Sequence, residues 1–255
     1  MTGFFIKKAF FDGWDHLWGL MALNLGALAL LSVFVLAPLA LDLPAGALWP
    51  NLGFLILAAY HVVCSAVLKD AVEYRNLSLA AFLQALKNRA GLGLSYGLAL
   101  SIAFFFSRIA VPFYLSRGGF LGWFAAGTLF WSFLIALLAL QWFPAVQALL
   151  PGPVAGSIRK CFFLLADNLG FSLFLALYSA AGLVLSVFTA FLLPGLAGMA
   201  LGSVAALKLL LKKYDWLEEN PGADRRTIPW EDILSEEQDL VGTRTLKGMI
   251  FPWKE

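Results

Sequence analysis

The stretch "LGFSLFLALYSAAGLVLSVFTAFLLPGLAGMALGSVAALKLLLK", Leu169 to Lys212, decides the fold class. It is apolar almost throughout and is broken only by Pro194-Gly195. As a single helix it would measure ~65 Å, twice the thickness of a bilayer's hydrocarbon core. Pro followed by Gly is a turn signal, so the stretch divides into two spans, 169–192 and 195–212. Four more apolar runs of similar length precede it, at about 17–39, 51–69, 91–111 and 120–143. Composition agrees: 61% of residues are hydrophobic and 13% charged, against roughly a quarter charged in soluble domains. The alternating ten-residue segments of a membrane β-barrel are absent. The expected fold is therefore an all-α integral membrane protein with six transmembrane helices. The first apolar run is too long for the core of a signal peptide, so no cleavable leader is expected.

The distribution of Lys and Arg orients these spans. With both termini inside, sixteen basic residues fall on the cytoplasmic side and only Arg108 and Arg117 outside. That bias predicts an N-in, C-in, multi-pass protein of a bacterial cytoplasmic membrane, in contact with membrane lipids.

An internal repeat organises the chain. "KKAFFDGWDHLWGL" at 7–20 and "RKCFFLLADNLGFS" at 159–172 share two basic residues, a small residue, Phe-Phe, an acid (Asp15, Asp167) and then an apolar run. A third copy lies in "FLQALKNRAGLGL", with Phe10, Phe82 and Phe162 in register and His16, Asn88 and Asn168 six residues on. In the first copy Ile6, Phe10, Trp14 and Leu17 oppose Lys8, Asp12 and Asp15 at helical spacing. Such a helix lies in the interface plane with its charged face toward the cytoplasm. The predicted unit is a cytoplasmic-surface amphipathic helix followed by a transmembrane hairpin, repeated three times over about 4–75, 76–150 and 151–213. The competing explanation is that any multi-span protein carries basic and aromatic flanks at its cytoplasmic edges. Small residues at four-residue spacing, Gly93, Gly97 and Ser101 in span three and Gly198, Gly202 and Ala206 in span six, predict close helix packing inside the bundle.

Polar residues inside spans are the candidates for chemistry. Asn24 and His61 lie at matching depth, ~10–12 Å from the cytoplasmic edge, and are expected to form an intramembrane hydrogen-bonded pair. A ligand or proton site at His61 is the alternative. Cys64 and Cys161 offer no metal or disulfide spacing and read as buried small hydrophobes. Hydrolase, metalloprotease and phosphate-loop motifs are missing, as are paired acids within a span. No enzyme activity, cofactor, metal or nucleic acid is expected.

The last segment, 214–255, differs in charge. It carries ten acids and five bases, whereas residues 1–213 carry thirteen bases and six acids. An anionic leaflet repels such a tail, so it either folds back on the basic loops or reaches a protein partner. "NPGADRRTIPW" reads as a linker and "PWEDILSEEQDLVG" as a short helix. Trp230, Ile233 and Leu234, with Ile250, Phe251 and Trp253 at the end, are candidate partner-binding anchors. For Phe251 and Trp253, insertion into the membrane interface beside the bundle is equally open.

"FFDGWDHLWGLMALNLGALALLSVFVLAPLAL" and "LQWFPAVQALLPGPVAGSIRKCFFLLADNLGFSLFLALY" resemble the YesL-like family of bacterial membrane proteins, whose biochemical function is not established. The resemblance covers about residues 4–213 in layout and loose motif, and the acidic tail lies outside it. It implies an accessory membrane subunit of a carbohydrate ABC import system, with an ABC permease as partner, and it supplies no catalytic residues. The rival expectation from the residues is a stand-alone small-solute or lipid transporter with a polar site near Asn24 and His61.

Overall fold

The computed structural model describes residues 1–40, 48–225 and 227–244. Its described secondary structure is helical throughout, in chain order α1 (Thr2–Asp15), α2 (Leu17–Ala40), α3 (Leu48–Val72), α4 (Leu79–Arg117), α5 (Gly119–Leu140), α6 (Phe143–Leu149), α7 (Val154–Asp167), α8 (Leu169–Phe188), α9 (Gly195–Glu219), α10 (Trp230–Ile233) and α11 (Ser235–Val241). Six of these, α2, α3, α4, α5, α8 and α9, are long and apolar enough to cross a membrane.

The bundle is built around α9 and α3, the two most buried of the six. α9 packs against α1, α2, α3, α6 and α8. It can do so because its core-facing residues are small: Ala197, Ala200, Ala205 and Ala206 have no exposed surface. Without a hydrophobic drive between helices in lipid, such close approach gains van der Waals contact instead. α4 leans on α3 through Gly93 and Gly97. A Cβ at Gly93 would stand 2.6 Å from Ala59 Cα, and one at Gly97 2.8 Å from the Leu55 carbonyl oxygen. A Cβ at Gly202 would likewise collide with the Tyr178 ring. The small-residue ladders thus pack the bundle internally.

The first and third copies of the repeat fold alike. α1 and α7 are each fourteen residues long and end on the matched acids, Asp15 and Asp167. The matched polar residues then break the helix in the same way. His16 Nδ1 lies 2.9 Å from the Asp12 carbonyl and Asn168 Nδ2 donates to the Leu164 carbonyl at 3.3 Å, each four residues back. Their own carbonyls open the following helices, accepting from Leu20 N at 3.0 Å and Ser172 N at 2.8 Å.

The second copy departs from expectation. No separate surface helix precedes span three, because α4 runs unbroken from Leu79 to Arg117. Ser78 caps its start by accepting from Ala81 N at 3.1 Å. The Asn88 side chain makes no bond to the carbonyl four residues back, as those of His16 and Asn168 do. Nothing there interrupts the ladder.

Between α8 and α9 the chain turns at 189–194, with a cis Leu193-Pro194 bond, as Pro194-Gly195 predicts. Gly195 has φ +58, and a Cβ there would fall within 2.5 Å of the Asn24 side chain. Glycine is required on both counts.

Candidate functional site

Two polar constellations stand out in this apolar molecule. The first lies at the end of the bundle that carries Lys7, Lys8, Lys208 and Lys212, called here the basic end. The α1 stripe Ile6, Phe10 and Trp14 faces outward, while Lys8 and Asp12 are fully buried on its other side. α9 and α3 pack against this face of α1, and the tail closes the cluster. Glu237 of α11 enters between α1 and α9, with Oε2 3.1 Å from Lys8 Nζ and Oε1 2.7 Å from Lys208 Nζ. Tyr74, held at φ +59 after α3, donates its hydroxyl to Glu237 Oε2 at 3.1 Å and accepts from Lys8 Nζ at 2.8 Å. Both lysines also donate to the Val72 carbonyl, at 3.3 and 3.0 Å, an acceptor left open by the end of α3.

Asp12 completes the cluster without a hydrogen bond. Its Oδ2 lies 3.0 Å from Lys8 Nζ, yet neither carboxylate oxygen has a bond of acceptable alignment. Burial raises its pKa to about 6, against the lowering influence of Lys8 and Lys208. Glu237 is also buried, but its bonds to Lys208 and Lys8 and the charge of both hold its pKa below the ordinary range. Two cations thus face two carboxylates, one well bonded and one poorly.

The rest of the tail is tied to the repeat. Arg244 binds both oxygens of Asp15 at 2.9 Å, and Arg225 reaches the matched Asp167 at 3.4 Å. Asp167 also accepts from Lys213 at 2.8 Å and from Tyr214 at 2.9 Å, and these hydrogen bonds and charges lower its pKa despite partial burial. Lys7 donates to the Gly242 carbonyl at 2.8 Å, and Lys212 pairs with Glu236 at 2.7 Å. Leu234 is buried, and Trp230 and Ile233 pack against the same core. These three predicted anchors therefore contact the chain's own bundle in this conformation. Ile250, Phe251 and Trp253 lie outside the described residues.

The second constellation lies within the spans, and it corrects the expected Asn24–His61 pair. Asn24 Nδ2 donates to the Leu192 and Pro194 carbonyls at 2.9 and 2.8 Å, and its Oδ1 accepts from Ala197 N at 2.8 Å. The bend between α8 and α9 leaves backbone groups that apolar surroundings cannot satisfy, and one amide with two donors and an acceptor answers them. Matching depth put His61 within reach on paper, but the backbone of the turn is the stronger claimant. His61 instead lines a cavity of about 370 Å³ with Tyr96, Gln141, Ser179 and Ser203 among apolar neighbours. The residue is half-buried, yet its Nε2 has neither solvent contact nor a hydrogen-bond partner. Ser65, one turn on from His61, is buried and donates back to the His61 carbonyl at 2.9 Å.

The "LQWFPAVQALLPGP" segment is structural. Trp142 and Phe143 are fully buried. The Trp142 indole donates to Ser172 Oγ at 3.0 Å, and Gln147 ties the α6–α7 turn through Gly152 and Ser157. Cys64 and Cys161 are free and buried. Among the described residues no group of His, Cys, Asp and Glu is arranged to hold a metal ion.

Fold and sites together define the class: an all-helical protein with six helices long and apolar enough to cross a membrane, carrying a polar tail seated on its basic end. No family model, no curated protein and no solved structure matches the chain.

Proposed function

We propose that this chain is a non-catalytic accessory subunit of a membrane complex, with its protein contacts made at the basic end and by the tail. In this reading the chain lies in a bacterial cytoplasmic membrane as three hairpins with both termini inside, and α1 and α7 rest at the cytoplasmic surface. The observation that carries it is the seat of the tail. Residues 230–244 bind a prepared surface through Glu237, Arg244 and Leu234, and a partner's acidic, apolar segment would meet the same lysines. The resemblance of the two quoted stretches to the YesL-like family supports a carbohydrate ABC import system as the setting and an ABC permease as the partner.

The test is a pull-down in mild detergent from native membranes, comparing the full-length chain with a version ending at Asn220. A permease retained only by the full-length chain would place the contact in the tail. A partner captured more strongly by the truncated chain would show that the tail occludes the seat. Capture of nothing by either form would overturn the accessory role. The rival transporter has one observation in its favour, the cavity at His61. It predicts that His61→Phe abolishes solute flux in vesicles, whereas an accessory subunit keeps its partner in that variant.

A further inference from the structure

The cavity at His61 opens sideways. Leu134 and Leu137 of α5 and Ala176 and Ser179 of α8 line it, and these helices touch each other little compared with their other neighbours. Leu137 is exposed, and Ile135 and Leu177 beside the gap point outward at 48% and 69% exposure. The mouth therefore faces whatever surrounds the apolar spans. The floor is supplied by α3, α4 and α9 through His61, Tyr96 and Ser203.

That floor carries unused hydrogen-bonding capacity. Neither ring nitrogen of His61 has a hydrogen-bond partner among the described residues, and of the two Nε2 is sealed from solvent. Tyr96 is held by stacking on Phe143, with ring centroids 4.9 Å apart and planes 2° from parallel, and its hydroxyl bonds to no described residue, nor does that of Ser179. Gln141 donates to the Leu138 and Ser172 carbonyls at 2.9 Å, which leaves its amide oxygen as an acceptor. Buried polar groups left unpaired are costly, and here several belong to residues that line one space. The larger groove between α2 and α4, about 610 Å³, lacks this property. There the Tyr60 hydroxyl already donates to Leu23 O and Ser78 Oγ already caps α4.

We infer that the crevice between α5 and α8 is a binding site for one uncharged, hydroxyl-bearing amphiphile taken from the bilayer, its head at His61 and Tyr96 and its hydrocarbon body in the mouth. The head is uncharged because no Asp, Glu, Lys or Arg lines the site, and an unpaired ion in such surroundings is strongly disfavoured. A hydroxyl fits because it donates to one group and accepts from another, as a neutral imidazole beside a phenol requires. The volume stands at the small end of ~300–1,000 Å³ pockets, so the site holds one chain segment and not a whole two-chain lipid. This site is independent of the accessory role proposed above.

The experiment uses the full chain in phospholipid vesicles with a photoreactive hexadecanol bearing a mid-chain diazirine, the matching hexadecane and the matching hexadecanoic acid. Labelled peptides are mapped by mass spectrometry. The alcohol is expected to label 134–141 or 175–179, and both analogues roughly tenfold less, the worth of about one hydrogen bond. His61→Phe should lower alcohol labelling by a similar factor. Tyr96→Phe, which keeps the stack on Phe143, should lower it less. Leu137→Trp at the exposed mouth should block it. Equal labelling by the alkane would reduce the crevice to a lipid-filled gap, and equal labelling by the acid would overturn the uncharged head. Absent labelling, with the protein still monodisperse, would mean that water alone fills it. Alcohol labelling unchanged in both His61→Phe and Tyr96→Phe would overturn the site as assigned.

Discussion

Asp12 is the weak member of the basic-end cluster, and its weakness has a sign. Its pKa of about 6 stands above its ordinary 3.8, so the docked state binds the proton more tightly than the free one. Its contribution to docking is complete below the ordinary value and is lost as pH rises through about 6. Glu237 runs the other way: held below its ordinary 4.5, it supports docking above that value and fails as pH falls. Tail docking should therefore be tightest near pH 4.5 and weaken steadily up to about 6. Amide-exchange protection of 230–241 should rise roughly fourfold from pH 7.5 to 5.5, and Asp12→Asn should flatten that limb. Protection that falls monotonically on acidification would show that Asp12 is not the controlling group. Asn24 is the other residue whose role is defined by its partners. Asn24→Ala would orphan two carbonyls and one N–H of the α8–α9 turn. Within a bilayer such bonds average well under 1 kcal/mol each, so about 2 kcal/mol in all is expected, a fall of roughly 4–8 °C in melting temperature in detergent. An unchanged melting point would mean that the turn finds other partners.

At the scale of elements, spans and packing ladders were legible because lipid imposes length and apolarity, and both are written residue by residue. Breaks between helices were less so. His16 and Asn168 end α1 and α7, but Asn88 at the same register sits inside α4. The difference lies in whether the side chain turns back on the carbonyl four residues earlier and whether an apolar run begins at once, and register alone records neither. Glycine gives a sharper test of the α3–α4 contact. Gly91 and Gly93 are two residues apart on α4, yet a Cβ at Gly91 meets nothing within 4 Å while one at Gly93 meets Ala59 backbone. Gly91→Ala should stabilise by up to ~1 kcal/mol through helix propensity. Gly93→Ala should destabilise by about 2 kcal/mol by overpacking. Melting curves of the two variants should move in opposite directions, and parallel shifts would refute the close crossing.

For the molecule as a whole, the repeat and the tail belong to one design. The acids that close the two matched helices, Asp15 and Asp167, each receive an arginine from the tail, Arg244 and Arg225. The sequence showed two matched acids and a tail of opposite charge to the rest. It could not show that they meet, because a salt bridge across 229 residues has no local signature. The buried four-charge cluster was hidden for the same reason, although Lys8 and Asp12 at helical spacing were half of it. The pairing of Glu237 with its two lysines is the property to test. Glu237→Gln leaves Lys8 and Lys208 opposite Asp12 alone, an uncompensated buried cation worth about 3–5 kcal/mol against docking. Lys208→Gln added to it restores one charge against one. The single variant should lose most amide protection over 230–241 and release the linker to protease, and the double variant should recover part of both. The six long helices should keep their melting temperature within a few degrees in each case, since α3 and α9 hold the core without the tail. Were the double variant as loose as the single, charge balance would not be what seats the tail. Leu234 and the hydrogen bonds of Tyr74 would then have to account for it, and Leu234→Ala would become the variant that frees it.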